Sequence, residues 1–514
     1  MWNPIGFPAF HVDEGHYMRR AMQVLEGLGP QESKETYDYG YDHPFFGQIF
    51  LAATLSLINY PDSLSPSVDL HSIEMLYLVP RLVMGLLAVI DTFLVYKIAE
   101  TRYNRNVAFF SATLFAVMPL SRILRGILLD SIELPFILLS ILFAIYYSKP
   151  INQIQITTNS NRLDRNILLV LLSGVFLGLA IFTKVPVITM IPLLSFIILE
   201  KHVPAMKGNI TTTSRLKTLG IWFIPVVLIP IMWPAYAISI GQFGDWLDGV
   251  FYQTGRQGNT NLLHSIMIVT QIDPLLVILG IAAIIYTAIK RDFFSLIWML
   301  PYLSFLYLIG WVVYFHWSVF LPILCIALGI LVERLRERFA AHKFIGLFPF
   351  VMISAIAIFG LLSFALLSTS NINAKYIDVY LFVTQELSRN VVNTDNQDEK
   401  NGTTLIGSHR IRALIWIPKY VFNDVVTFRD TDLPNDNFTK PVQTTKYLVV
   451  ADSNLLTKLS QIIPQVKYGR IATLYYNTSQ TIATFLDNES DRHSYMNLRE
   501  NYGLGPFVEV RANN

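Results

Sequence analysis

LVPRLVMGLLAVIDTFLVYK, residues 78–97, has only three charged side chains in twenty. Roughly twenty predominantly apolar residues are what an α-helix needs to cross a bilayer's hydrocarbon core. LIWMLPYLSFLYLIGW (296–311) and FIGLFPFVMISAIAIFGLLSFALL (344–367) have the same character. The whole chain follows suit: of 514 residues 53% are hydrophobic and 15% charged, against about a quarter charged in soluble domains. The composition therefore gives an α-helical polytopic membrane protein. A net charge of +2 leaves no basic surface for nucleic acid. Cys325 is the single cysteine and lies in an apolar run, so no intrachain disulfide, zinc cluster or thiol chemistry is supported.

Apolar runs and turn signals place about ten spans, near 74–97, 106–121, 131–148, 167–183, 186–200, 219–238, 273–289, 293–310, 318–334 and 344–368. Basic residues gather in every second connection. Lys97, Arg102 and Arg105 fill one; Lys149, Arg162 and Arg165 another; Lys201, Lys207, Arg215 and Lys217 a third. Lys290 with Arg291, and Arg334 with Arg336, Arg338 and Lys343, complete the series. Cytoplasmic loops carry such an excess. The alternate connections then face outward, and the chain divides into an extracytoplasmic first loop (1–73), a transmembrane domain (74–368) and an extracytoplasmic tail (369–514).

In the first loop, EGHYMRRAMQVLEGLG has the 3.6-residue rhythm of an amphipathic helix, and FFGQIFLAATLSLINYP reads as a helix lying in the membrane interface. The chain opens on MWNPIGFP, with no hydrophobic segment before it. In the tail, TLIGSHRIRALIWIP, KYLVVADSNLLTKLSQIIP and GRIATLYYN alternate strand-like and helical patterns, as a soluble α/β domain would. Asn401, Asn437, Asn477 and Asn488 open Asn-x-Ser/Thr sites there.

Charge inside a membrane is expensive, roughly 2.5–3.5 kcal/mol at mid-bilayer on insertion scales, and tends to be paired or functional. Arg81, Arg122, Arg125, Asp130, Glu133, Lys184 and His316 all fall at outward ends, on the side that carries Asp13, Glu14, Asp42 and His43; Asp91 lies nearer the cytoplasmic end. Each has a plain structural reading as well. Arg81 and Lys184 are placed to snorkel to headgroups, Asp130 and Glu133 to pair with Arg122 and Arg125, Asp91 to hydrogen-bond a neighbouring helix, and His43 to sit in a turn. Their convergence on one side supports the other reading, a site for a phosphorylated, lipid-linked substrate. Cations would hold the phosphate, and a carboxylate would take a proton from the attacking group.

The motif order carries a resemblance. WNPIGFPAF (2–10) leads to Asp13-Glu14; YDHPFFG (41–47), Pro80-Arg81-Leu82, LRGILLDS (124–131), GLAIFTKVP (178–186) and FHWSVFLPIL (315–324) follow. In this order they resemble the GT-C glycosyltransferases of the dolichyl-phosphate-mannose:protein mannosyltransferase and aminoarabinose transferase group, family 39 and its kin. The likeness runs through residues 2–335 and implies a GT-C-like membrane domain whose first helix is missing here. It also implies transfer of a sugar, with inversion, from a polyprenyl phosphate to an extracytoplasmic acceptor.

Position by position, the resemblance makes Asp13 the general base and Glu14 its support, since neighbours in a helix cannot share a face. His43 takes a place where relatives have His-Pro or Lys-Pro, suited to the leaving phosphate. Arg81, Arg125 and Lys184 match positions that contact phosphate or secure the loop, and Asp130 matches the second acid. Arg122 and Glu133 are extra charges beside Arg125 and Asp130, and His316 stands where an arginine is common. No cofactor is implied and, without an Asp-x-Asp signature, no metal is assigned. The partners implied are a polyprenyl-phosphate sugar, a protein, glycan or lipid acceptor, and membrane lipids. The alternative is a polytopic transporter or lipid-linked-sugar flippase, but its related halves and broken mid-membrane helices are not apparent.

Overall fold

The computed structural model describes residues 10–31, 41–62, 70–149, 160–200, 212–255, 261–310, 312–339 and 348–368. Beyond these it describes residues 373, 377, 411–414 and 416–417 and five strands between 404 and 513. Two short helices come first, α1 (Val12–Leu25) and α2 (Phe46–Ser56), then the long α3 (Leu70–Arg102) and α4 (Arg105–Val117). The bundle continues through α5 (Leu129–Ser148), α6 (Ser160–Thr183), α7 (Ile191–Glu200), α8 (Thr212–Ser239) and α9 (Phe243–Gly255). It closes with α10 (Leu262–Ile272), α11 (Pro274–Ile289), α12 (Phe294–Ile309), α13 (Leu321–Phe339) and α14 (Phe348–Ser368).

The expected ten spans are confirmed only in part. Among the described residues, five helices are long and apolar enough to cross a membrane: Glu74–Arg102, Leu129–Ser148, Asn166–Thr183, Leu216–Ser239 and Tyr314–Phe339. The count reaches 7 only if two bent pairs are each one span, Arg105–Val117 with Pro119–Arg125 (69°) and Leu262–Ile272 with Pro274–Ile289 (117°). Proline opens the second half of each pair, where its missing N–H and ring fit a helix start but not an interior. The remaining apolar runs form shorter helices: Val185–Glu200, Phe294–Ile309 and Phe350–Ala365. An apolar run marks a buried or lipid-facing helix, but its length does not say whether that helix crosses.

Tyr314–Phe339 lies at the bundle's centre, with 94% of its most apolar window buried by protein, while only 28% is buried in Leu216–Ser239. The latter leaves Phe223, Ile224, Leu228 and Ile231 uncovered, as a lipid-facing helix would. Small residues set the closest approach. A Cβ on Gly174 would lie 2.4 Å from the Trp222 carbonyl oxygen, and one on Gly178 2.6 Å from that of Pro225. Glycines four apart on α6 thus let α8 pack backbone to backbone, the small-xxx-small device of membrane helices.

In the tail, β1 (Thr404–Gly407), β2 (Thr427–Asp430), β3 (Tyr447–Val450), β4 (Tyr468–Tyr475) and β5 (Phe507–Asn513) form one sheet of order β2-β1-β3-β5-β4. β1 runs parallel to β2 and β3, whereas β5 runs antiparallel to β3 and β4. Between β1 and β2 a short helical turn, Ile411–Leu414, is described; the other helices expected between the strands, and all four Asn-x-Ser/Thr sites, fall outside the described residues.

Candidate active site

α1 begins on a reciprocal cap. The Asp13 N–H donates to His11 Nδ1 at 3.2 Å, and Glu14 Oε2 accepts the His11 N–H at 3.2 Å. Two donors that a helix start leaves without intrahelical partners are thereby satisfied, and Asp13 and Glu14 lie in the first turn, where the helix dipole favours negative charge. The helix is covered on nearly every side from Val12 to Gln23. The expected helix is present, and its polar face is covered by protein rather than by water.

Consecutive positions diverge as helix geometry requires. Glu14 is fully buried and joins three segments. Arg81 of α3 donates Nη2 to both its oxygens, at 3.0 and 2.8 Å, and Nε at 3.2 Å, while the Ile127 N–H donates to Oε1 at 2.8 Å. Arg81 is 1% exposed, so it secures the loop and does not snorkel to headgroups. Asp13 keeps 30% of its side chain exposed, with Oδ2 3.5 Å from His11 Nδ1. Of the two acids, Asp13 is the one an entering substrate can reach.

A second buried pair closes the site below. Lys184, just past the end of α6, donates to both Asp130 oxygens at 2.8 and 2.7 Å, and Ser318 Oγ stands 3.4 Å from Asp130. Removing one partner of such a pair costs about 3–5 kcal/mol, because it strands the other charge. Asp130 therefore pairs with Lys184 rather than with Arg122 or Arg125. Glu133, one turn further along α5, is buried, and neither of its oxygens has a hydrogen-bond partner among the described residues. Phe315 links the two halves: the Lys184 ammonium lies 5.1 Å from its ring centroid, and the His11 ring packs against it edge-on at 4.9 Å.

The loop before α2 supplies the third wall. Tyr41 donates its hydroxyl to Gln242 at 2.8 Å, and Gln31 donates to the His43 carbonyl at 3.3 Å. Gly249 of α9 lies so near that a Cβ would come within 2.3 Å of the Tyr41 carbonyl oxygen. Arg20 pairs with Asp42 at 2.7 Å. His43 is partly covered and set among Asp42, Lys184, Arg20 and Asp13; burial outweighs the two acids and lowers its pKa to about 4. It is thus a neutral donor near pH 7, not a cation. Tyr17, its ring 6.4 Å from that of His43, has its pKa raised by burial first, then by Asp13, Asp42 and Asp130, with Arg20 opposing. Its phenol stays protonated.

The structure thus gathers Asp13, His43, Asp130 and Lys184 around Tyr17 and Arg20, with Glu14 and Arg81 behind. Arg125 stands apart, its guanidinium over the Phe364 ring at 4.0 Å. His316 caps its own turn, Nδ1 accepting the Val313 N–H at 3.3 Å. Asp91 is buried, but neither oxygen has a hydrogen-bond partner among the described residues, so the expected bond to a neighbouring helix is not present. Sequence reading missed Tyr17 and Arg20, although they stand four and seven residues after Asp13, one face of a helix. Among the described residues no three His, Cys, Asp or Glu side chains gather as a metal site.

A sequence-family model described as dolichyl-phosphate-mannose-protein mannosyltransferase matches residues 34–242, a stretch that includes His43, Arg81, Arg125, Asp130 and Lys184; Asp13 and Glu14 precede it. No curated protein matches the sequence. In structure the chain is similar to an oligosaccharyltransferase of Archaeoglobus fulgidus crystallised with a tethered acceptor peptide. The TM-score is 0.53 at 12% identity, covering 91% of this chain and 69% of that one. It is also similar to apo ArnT of Cupriavidus metallidurans, with a TM-score of 0.52 at 14% identity, over 91% of this chain and 93% of that one. At such identities the likeness shows the fold. The family model spans less than half of the chain, so it marks a similarity within that stretch.

Proposed function

We propose that the protein transfers a sugar from a polyprenyl phosphate to a hydroxyl-bearing acceptor on the extracytoplasmic face, with inversion at the anomeric carbon. The observation that carries this reading is the meeting of Asp13, partly open to solvent, with His43, Lys184 and Asp130 at one end of a GT-C bundle. The Asp13 carboxylate takes the acceptor proton as the acceptor oxygen bonds to the anomeric carbon. The bond from that carbon to the phosphate oxygen breaks, and polyprenyl phosphate leaves with the electron pair. No nucleotide is needed, because the sugar–phosphate bond is already activated.

Stabilising the departing phosphate falls to preformed charge, which commonly contributes most to catalysis of this kind. An ammonium has three donors, and Asp130 takes two from Lys184. The third is suited to phosphate, beside the neutral His43. Arg125 stands apart over the Phe364 ring and adds a further positive charge, with no carboxylate paired to it among the described residues. Asp130 orients Lys184, and Glu14 with Arg81 secures the loop. The outward orientation rests on the alternating basic connections, and residues 369–514 then form an outer domain. The acceptor is a protein, glycan or lipid hydroxyl.

Purified protein should be offered a panel of polyprenyl-phosphate sugars, with and without hydroxyl acceptors. The expected result is release of free polyprenyl phosphate for one donor class and only when an acceptor is present. A lipid-linked sugar carried across the bilayer intact, with none released, would sink the reading in favour of a transporter.

A further inference from the structure

Five buried side chains of the tail, Ile377, Ala413, Leu414, Trp416 and Ile417, share one apolar core with Phe10, Met18 and Ala21 beside and in α1 and with Leu76 and Tyr77 of α3. The tail residues lie three hundred or more positions along the chain from these partners, yet Ala413, Leu414, Trp416 and Ile417 are fully buried. At the centre stands the Tyr77 hydroxyl. It donates to the Ala413 carbonyl and accepts the Trp416 Nε1–H at 3.1 Å. A second tie runs alongside: the Phe10 N–H donates to the buried Asn373 Oδ1 at 2.8 Å.

Tyr77 and Arg81 are four residues apart, neighbours on one helix face. The Arg81 guanidinium packs against both aromatic rings, 5.9 Å from that of Tyr77 and 4.9 Å from that of Phe10, whose own centroids are 4.6 Å apart. Arg81 in turn holds Glu14, and Glu14 holds the His11 and Ile127 amides. One continuous series of buried contacts thus runs from Trp416 to the first turn of α1, where Asp13 sits. We propose that the segment Ala413–Ile417 is a positioning element of the active site: docked on Tyr77, it fixes Arg81 and Glu14 and so presents Asp13. Helix α1 serves both sides. Met18 and Ala21 pack with the tail and Glu14 holds Arg81, while Asp13, Tyr17 and Arg20 face the reaction.

Tyr77→Phe is the sharpest variant, since it keeps the ring and its packing and leaves the Ala413 carbonyl and Trp416 N–H unmatched. Trp416→Ala removes the whole plug; Trp416→Phe restores apolar bulk without the N–H. The full chain in detergent or nanodiscs should be followed by amide hydrogen exchange over residues 12–25, with residues 321–339 as the internal reference. Tyr77→Phe and Trp416→Ala should each speed exchange in α1 by about tenfold or more, Trp416→Phe less, with α13 unchanged. Unaltered protection of α1 in both variants would overturn the proposal. So would an equal rise in α13, which reports general loosening. A kinetic arm rests on the proposed transferase reading: kcat should fall about tenfold while the KM for the lipid donor stays within about twofold. The exchange arm needs no turnover, so failure of the positioning idea and failure of the transferase reading are told apart. A KM rise with kcat intact would also count against positioning.

Discussion

His43 has two acids and two cations around it, and their fields largely oppose one another. Burial therefore decides, and lowers the pKa to about 4, below the ~6.5 of an ordinary histidine. As pH falls, the unfolded chain takes up this proton before the folded one does. The contribution to stability is whole above about 6.5 and is lost as pH drops toward 4. Thermal unfolding between pH 7.5 and 4 should steepen in wild type relative to His43→Gln; superimposable slopes would contradict the burial argument. The carboxylates at 13 and 14 were legible as a divided pair because adjacent positions on a helix cannot face one way. The Arg20–Asp42 pair was not legible. It joins a helix to a loop about twenty residues on, and nothing local in either segment marks the partner. Glu133 gives the opposite lesson: its charge was visible, but not that its neighbour Asp130 is claimed by Lys184, fifty-four residues away.

At the scale of elements, hydropathy located the apolar helices, of which five to seven among the described residues have the length and composition to cross a membrane. The Pro119 and Pro274 breaks bend two runs by 69° and 117°, and a window of mean hydropathy does not register a change of direction. Glycine spacing on α6 was a signal in plain view, fixing how near α8 can come. Gly178→Ala would push a methyl to 2.6 Å from the Pro225 oxygen and should destabilise the bundle by about 1–3 kcal/mol, as overpacking does. Gly220→Ala, on α8 with nothing within 4 Å, should be neutral or raise the melting temperature, since alanine is the better helix former by about 1 kcal/mol. Detergent melts of the two variants decide the matter; equal effects would refute the close-packing account. In the tail, three strands lie within the segments read as strand-bearing, whereas Thr427–Asp430 and Phe507–Asn513 were not singled out. Both are short and carry charged residues within them, so no apolar run marks them.

Across the whole molecule, charge is sorted to two ends. Arg81 and Arg102 are twenty-one positions apart on α3, roughly 30 Å along a helix, about the hydrocarbon thickness of a bilayer. At the Arg81 end lies the site. At the Arg102 end, Arg102 pairs with Glu200 at 2.9 Å, and Glu333 receives Arg336 at 2.6 Å and Asn106 at 3.0 Å. These are the connections whose basic residues give the proposed cytoplasmic face. Between the ends, α13 fills the centre and α8 leaves apolar side chains uncovered, as a lipid-facing helix would; in the proposed function the reacting groups then sit where a lipid-borne phosphate and a water-borne acceptor can meet. Membranes carrying wild type or Asp13→Asn at equal folded amounts should be compared for polyprenyl phosphate released from the active donor. Wild type should show acceptor-dependent release, and the variant should lose about 10²–10⁴-fold with its melting temperature kept. Undiminished release by Asp13→Asn would contradict the assignment of Asp13 as the base.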